Sequence, residues 1–154
     1  MTSDVYVIDS NVLFGAFISG KDVYSIIFSE KTVYVPDFAF VEIEKYKQRI
    51  LEKTKLSGGE FQEFILRLLK NVTVIPALAI SQDSLKQAYE LCREIDDKDT
   101  VYVAAAIQLE ATLVTSDRSL LKGLRERGFN RVELLGDVVR HELSQTTLGE
   151  DTSR

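Results

Sequence analysis

The chain has 154 residues, 45% of them hydrophobic, enough for one domain with a single substantial core and too short for a second. A net charge of -5 and a pI of about 5.0 exclude the bulk basic excess that a nonspecific nucleic-acid binder usually carries. With one cysteine, Cys92, and one histidine, His141, there is no internal disulfide, no cysteine-rich zinc site and no histidine-centred nucleophile scheme. The lone thiol, and the lack of a leader-like start or an uncharged run of membrane-spanning length, predict a soluble cytoplasmic protein.

Short apolar runs alternate with longer helical stretches, which predicts an α/β fold: a three-layer α/β/α sandwich around a mainly parallel sheet. The first strand is Val5 to Asp9, followed by helices from Asn11 to Ile18 and Asp22 to Ser29, broken at Ser19-Gly20. A strand from Thr32 to Val35 stops at Pro36, and a helix runs from Asp37 to about Lys55. Ser57 and Glu60 have capping-box spacing for a helix to Lys70, and Val72 to Ile75 reads as a strand stopped by Pro76. Helices from Asp83 to Ile95 and Lys98 to Glu110 precede a strand, Thr112 to Ser116, and a helix from Arg118 to Arg127 ended by Gly128. A short strand, Val132 to Leu135, and a final helical turn close the domain at residue 143; residues 144–154 read as a polar, disordered tail.

Asp9 and Asp117 each close a strand, so parallel pairing would bring both to the sheet edge where open α/β folds bind ligands. Each also reads as the cap of the helix that follows. Asp99 opens the most apolar helix, Val101 to Ile107, where the helix dipole keeps a carboxylate ionised. Asp96 and Asp97 compete with it for one capping role, and Asp96, three residues earlier, is placed to flank the same site. Glu42 borders the apolar stripe Ile43, Tyr46 and Ile50, whereas Glu44 points nearly the opposite way. Gathered carboxylates repel by about 4 kcal/mol per pair at ~4 Å and an effective dielectric near 20. No local Arg or His cluster offsets this, so a hard divalent cation, Mg²⁺ or Mn²⁺, is the natural counter-charge. Lys45, Lys47, Arg49, Lys53 and Lys55 crowd one helix, and Lys122, Arg125, Arg127 and Arg131 another region; both read as phosphate-tracking surfaces or as plain solvated faces. A dehalogenase-like phosphatase would need a second Asp two residues after Asp9, where Asn11 stands, and Gly58-Gly59 lacks the neighbours of a phosphate-binding loop.

In order along the chain, Val7-Ile8-Asp9-Ser10-Asn11-Val12-Leu13, then Val35-Pro36 with Glu42 six residues later, then Asp96-Asp97-Lys98-Asp99 before an Ala-rich helix, and Leu113-Val114-Thr115-Ser116-Asp117 make a set spanning Val5 to Leu135. The set resembles the PIN domain family of Mg²⁺/Mn²⁺-dependent ribonucleases. The resemblance implies a site in which Asp9, Glu42, Asp99 and Asp117 are catalytic and bind one or two ions. It adds Asp96 as a further acid of some members, and Asn11 and Thr115 as supporting polar residues. It implies hydrolysis of RNA by metal-activated water, with Lys45, Lys47 and Arg49, or Lys98, Arg118 and Lys122, holding the backbone. A toxin with an antitoxin-like partner and an RNA-processing nuclease both fit; a noncatalytic scaffold that binds RNA or protein is the alternative. The chain departs from the smallest, toxin-like members in the stretch between Pro36 and Ile75, which reads as two helices. Phe14, Phe17, Ile18, Ile26, Ile27 and Phe28 exceed what one core should absorb and predict a homodimer.

Overall fold

Five short apolar segments become strands: β1 (Val5–Ile8), β2 (Thr32–Pro36), β3 (Val72–Ile75), β4 (Thr112–Thr115) and β5 (Val132–Leu134). The computed structural model describes residues 4–152, with side chains through residue 145. The strands form one sheet in the order β3-β2-β1-β4-β5, and every neighbouring pair is parallel. Successive residues of a strand point to opposite faces, yet Tyr6, Val7 and Ile8 are all buried, so helices cover both faces of the central strand. These helices are α1 (Ser10–Ser19), α2 (Asp22–Glu30), α3 (Phe38–Lys45), α4 (Lys47–Lys53), α5 (Gly58–Leu69), α6 (Gln82–Cys92), α7 (Thr100–Leu109), α8 (Arg118–Glu126) and α9 (Leu135–Thr152). The predicted α/β/α sandwich is the fold observed.

From β1 the chain steps outward to β2 and β3, then returns to the other side of β1 for β4 and β5. The direction of winding reverses between β1 and β4, and the crevice beyond their carboxyl ends is the expected ligand site. Ile8 pairs with Val114, so the residues that follow, Asp9 and Thr115, leave the sheet side by side.

Several boundaries differ from the sequence-based expectation. The single helix predicted from Asp37 to about Lys55 is two, because Tyr46 (φ −104°, ψ 12°) leaves the helical region. The Tyr46 ring is exposed and meets Phe14 edge-on at 5.8 Å, while Ile50 is buried. The segment predicted to be helical from Lys98 starts as a 3₁₀ turn, Asp97–Asp99, and α7 ends at Leu109 as Glu110 turns left-handed (φ 51°). The last helix extends to Thr152, well past Ser144; no proline interrupts its backbone bonding, and Val138 and Val139 pack its first turns on the core. Ser153 and Arg154 of the predicted tail lie outside the described residues. The core takes in Phe17, Ile27 and Phe28, and Phe14 and Ile18 pack half-buried against it. Only Ile26 of the six apolar residues expected to be in surplus is exposed, so the basis for predicting a homodimer largely disappears into one core.

One junction shapes the crevice. Helix α1 ends at Gly20, whose φ of 63° suits glycine and whose N–H donates to the Ala16 carbonyl at 2.9 Å. A Cβ there would stand 2.6 Å from Leu56 Cγ. Beside it the end of α4 is stitched to α1: Thr54 Oγ1 donates to the Phe17 carbonyl at 2.9 Å and the Lys55 N–H to the Ile18 carbonyl at 3.0 Å. Among the described residues no helix is long and apolar enough to cross a membrane.

Candidate active site

Because α1 begins directly after β1, Asp9 is the N-cap of α1: its Oδ1 accepts the Val12 N–H at 3.0 Å. Its Oδ2 accepts from Thr115 Oγ1 at 3.0 Å. Thr115 is fully buried, and its Oγ1 also accepts the Asp117 N–H at 3.1 Å. One hydroxyl therefore ties the ends of β1 and β4 together across the point where the winding reverses. Asp9 is only 4% exposed. Burial pushes its carboxyl up to about 6; the two hydrogen bonds oppose that, and the fields of Glu42 and Asp117 add to it.

Asp117 is exposed and caps α8, with Oδ1 accepting the Ser119 N–H at 2.9 Å and the Leu120 N–H at 3.1 Å. Asp96 caps the 3₁₀ turn by accepting the Lys98 N–H at 3.1 Å. Asp99, just before α7, makes no such cap bond and is half-buried. Burial pushes Asp99 up to about 7, and the fields of Asp96, Asp9, Asp117 and Glu42 act in the same direction. Acids from four distant parts of the chain thus share one electrostatic neighbourhood.

Glu42 reaches it from α3. Its Oε1 accepts from Ser10 Oγ at 3.1 Å and from the Tyr102 hydroxyl at 2.7 Å. Tyr102 is buried, and burial together with the bond to Glu42 raises its phenol above the usual tyrosine range. Neither Ser10 nor Tyr102 is among the sequence candidates. The available signal for Tyr102 was a hydroxyl in the most apolar helix of the chain, since a buried phenol needs a partner.

Among the described residues none of the five acids forms an ion pair. The donor set is oxygen only, mutually repelling and partly desolvated, which suits a hard divalent cation. Those oxygens belong to Asp9, Glu42, Asp99 and Asp117, with Asp96 acting on Asp99 most strongly of the four neighbouring acids. Among the described residues no three or more acidic, histidine or cysteine side chains form a group that could hold a metal ion. A family model described as PIN domain matches residues 7–136, a span that includes all five acids. The chain belongs to the PIN domain family. Its structure is similar to the crystal structure of PAE2754 from Pyrobaculum aerophilum, at 14% identity and a TM-score of 0.61 over 93% of this chain and 90% of that one. It is also similar to a chain of a toxin-antitoxin complex from Klebsiella pneumoniae, at 17% identity and a TM-score of 0.55 over 83% of this chain and 95% of that one. No curated protein matches.

Around the acids of this PIN domain the basic candidates separate into two kinds. A cleft of about 390 Å³ lies between α1 and the α3–α4 pair, lined by Asn11, Phe14, Glu42, Tyr46, Arg49 and Lys53 among others. Asn11 is exposed there on the first turn of α1. Of the three cations predicted on this stretch only Arg49 lines the cleft; Lys47 pairs with Glu44 at 3.8 Å and Lys45 sits over the Tyr46 ring at 5.5 Å. Arg118, next to Asp117, lines a depression of about 350 Å³ with Tyr24 and Arg140. Lys98 and Lys122 are exposed and line neither.

Proposed function

We propose that this PIN domain is a metal-dependent nuclease that hydrolyses RNA phosphodiester bonds. The observation that carries the proposal is the mutual electrostatic influence of Asp9, Glu42, Asp99 and Asp117, none of which has an ion-pair partner among the described residues. A divalent ion, when bound, supplies an acidified water and charge neutralisation at phosphate. Thr115 holds the Asp9 carboxylate from β4 and so orients it at the buried end of the site. Ser10 and Tyr102 both bond one oxygen of Glu42 and leave the other for an ion or a water. Arg49, which lines the cleft with Glu42, and Arg118, next to Asp117, offer counter-charge for the RNA backbone, with Lys45, Lys47, Lys98 and Lys122 as further contacts. Family membership supports nuclease chemistry. The fold likeness to a chain of a toxin-antitoxin complex supports a protein partner.

The test is cleavage of single-stranded RNA by the purified protein with Mn²⁺ or Mg²⁺, stopped by chelator. Asp9→Asn and Asp99→Asn should remain folded and lose cleavage; the parent rate in both variants would overturn the proposal. A noncatalytic RNA-binding scaffold is the second reading, favoured by the capping bonds that already occupy Asp96 and Asp117. RNA binding with no cleavage at millimolar Mn²⁺ would select it.

A further inference from the structure

The cleft between α1 and α3–α4 opens directly from the acids, because Glu42 belongs to both. Tyr46 stands in it with 39% of its surface exposed, edge-on to Phe14. Arg49 and Lys53 lie beside the two rings, and among the described residues neither has an ion-pair partner, whereas Lys47 on the same helix does. The bonds from Thr54 and Lys55 to α1 fix both walls before any ligand arrives. Paired aromatic rings next to uncommitted cations are what an unstacked base and its phosphate require.

The geometry points to this cleft as the subsite for the nucleotide adjoining the cleaved phosphodiester, its base against the Phe14–Tyr46 pair and its outer phosphate on Arg49 and Lys53. The position "adjoining the cleaved bond" rests on the nuclease proposal; the binding site itself does not. A base within a duplex is stacked and paired and cannot reach the rings, so the subsite selects single strands.

Binding of a fluorescently labelled single-stranded RNA to the full chain is read by anisotropy in Ca²⁺, an oxygen-seeking cation that neutralises the acids. The double variant Arg49→Ala, Lys53→Ala should bind at least roughly tenfold more weakly, and its salt slope should fall by about 1.4, since each single-strand phosphate contact contributes ~0.7. Tyr46→Ala should lose roughly tenfold, the usual effect of removing one stacking ring, while Tyr46→Phe keeps the parent affinity. Lys86→Ala, on α6 and outside the cleft, should bind as the parent does. All these side chains are exposed, so the fold survives their loss. Parent affinity and slope in the double variant, parent affinity in Tyr46→Ala, or no RNA binding by the parent would each overturn the subsite. Variants that lose binding in a protein that cuts nothing with Mn²⁺ would sink the nuclease proposal and leave the subsite. A parent that cuts RNA, with variants that bind and cut as it does, would sink the subsite and leave the nuclease.

Discussion

Acids on the outer surface and acids in the crevice are treated differently by this fold. Asp4 pairs with Lys31 at 3.1 Å, Glu94 with Arg127 at 2.8 Å and Asp22 with Arg67 at 3.8 Å, all at well-exposed carboxylates where a pair is worth little and its absence costs little. In the crevice Asp9 is buried and Asp99 half-buried, desolvation is the leading cause of both raised carboxyl pKa values, and neither has an ion-pair partner among the described residues. The chain neutralises charge where that is energetically cheap and omits it where it is expensive. Such a pattern is expected where an external cation completes the site.

The strongest test of that contrast is catalytic. Asp99→Asn should lower metal-dependent cleavage by about a hundredfold or more, the loss expected when several kcal/mol of transition-state stabilisation are removed, while Glu94→Gln on the outer surface leaves the rate unchanged. Equal rates in the two variants would erase the distinction.

Stability against pH comes next. In the unfolded chain Asp9 ionises near its ordinary value of 3.8, and in the folded chain at about 6, so folding retains a proton between them. Without divalent ion, stability is therefore fullest below pH ~4 as regards this group and is lost as pH rises through about 6, with Asp99 extending the loss toward about 7. From Asp9 alone the melting free energy should fall by about 1 kcal/mol between pH ~5 and pH ~7. Asp9→Asn should flatten this dependence, and Mn²⁺ at ~100 times its Kd should raise stability by about 2.7 kcal/mol in the parent. A parent that melts higher at pH ~7 than at pH ~5 without metal would contradict the assigned direction.

Tyr102→Phe removes one of the two donors to Glu42 while keeping the packed ring. Cleavage should fall roughly tenfold, as for loss of a partner that orients a metal-binding carboxylate, with stability changed by no more than about 1 kcal/mol. A drop in stability without a drop in rate would make Tyr102 a core residue only. Gly20→Ala lies outside the acid cluster and should leave the cleavage rate unchanged while costing about 1–2 kcal/mol through its left-handed backbone and the approach to Leu56, read by thermal melting.

Much of this was written locally in the chain. The ends of β1 and β4 follow from apolar runs closed by Asp9 and by Thr115-Ser116-Asp117, and alternation of strands and helices yields the sandwich. The same local character made Asp9 and Asp117 ambiguous between cap and ligand, and in the fold both are caps as well as members of the acid cluster. Ser10 and Tyr102 could not be assigned, because their partner Glu42 lies 32 and 60 residues away. Nor could the basic residues be sorted: Lys45, Lys47 and Arg49 look alike in sequence, yet of the three only Arg49 lines the cleft.

The sequence by itself determined the order of strands and helices, the acids at the strand ends and the family, since periodicity, capping chemistry and short motifs are properties of neighbouring residues. Only the tertiary structure decided that winding reverses between β1 and β4, that Thr115 bonds Asp9, and that Arg49 and Lys53 line one cleft with Glu42 and Asn11. Those contacts join residues far apart in the chain, and they follow from how helices and sheet pack rather than from any local preference.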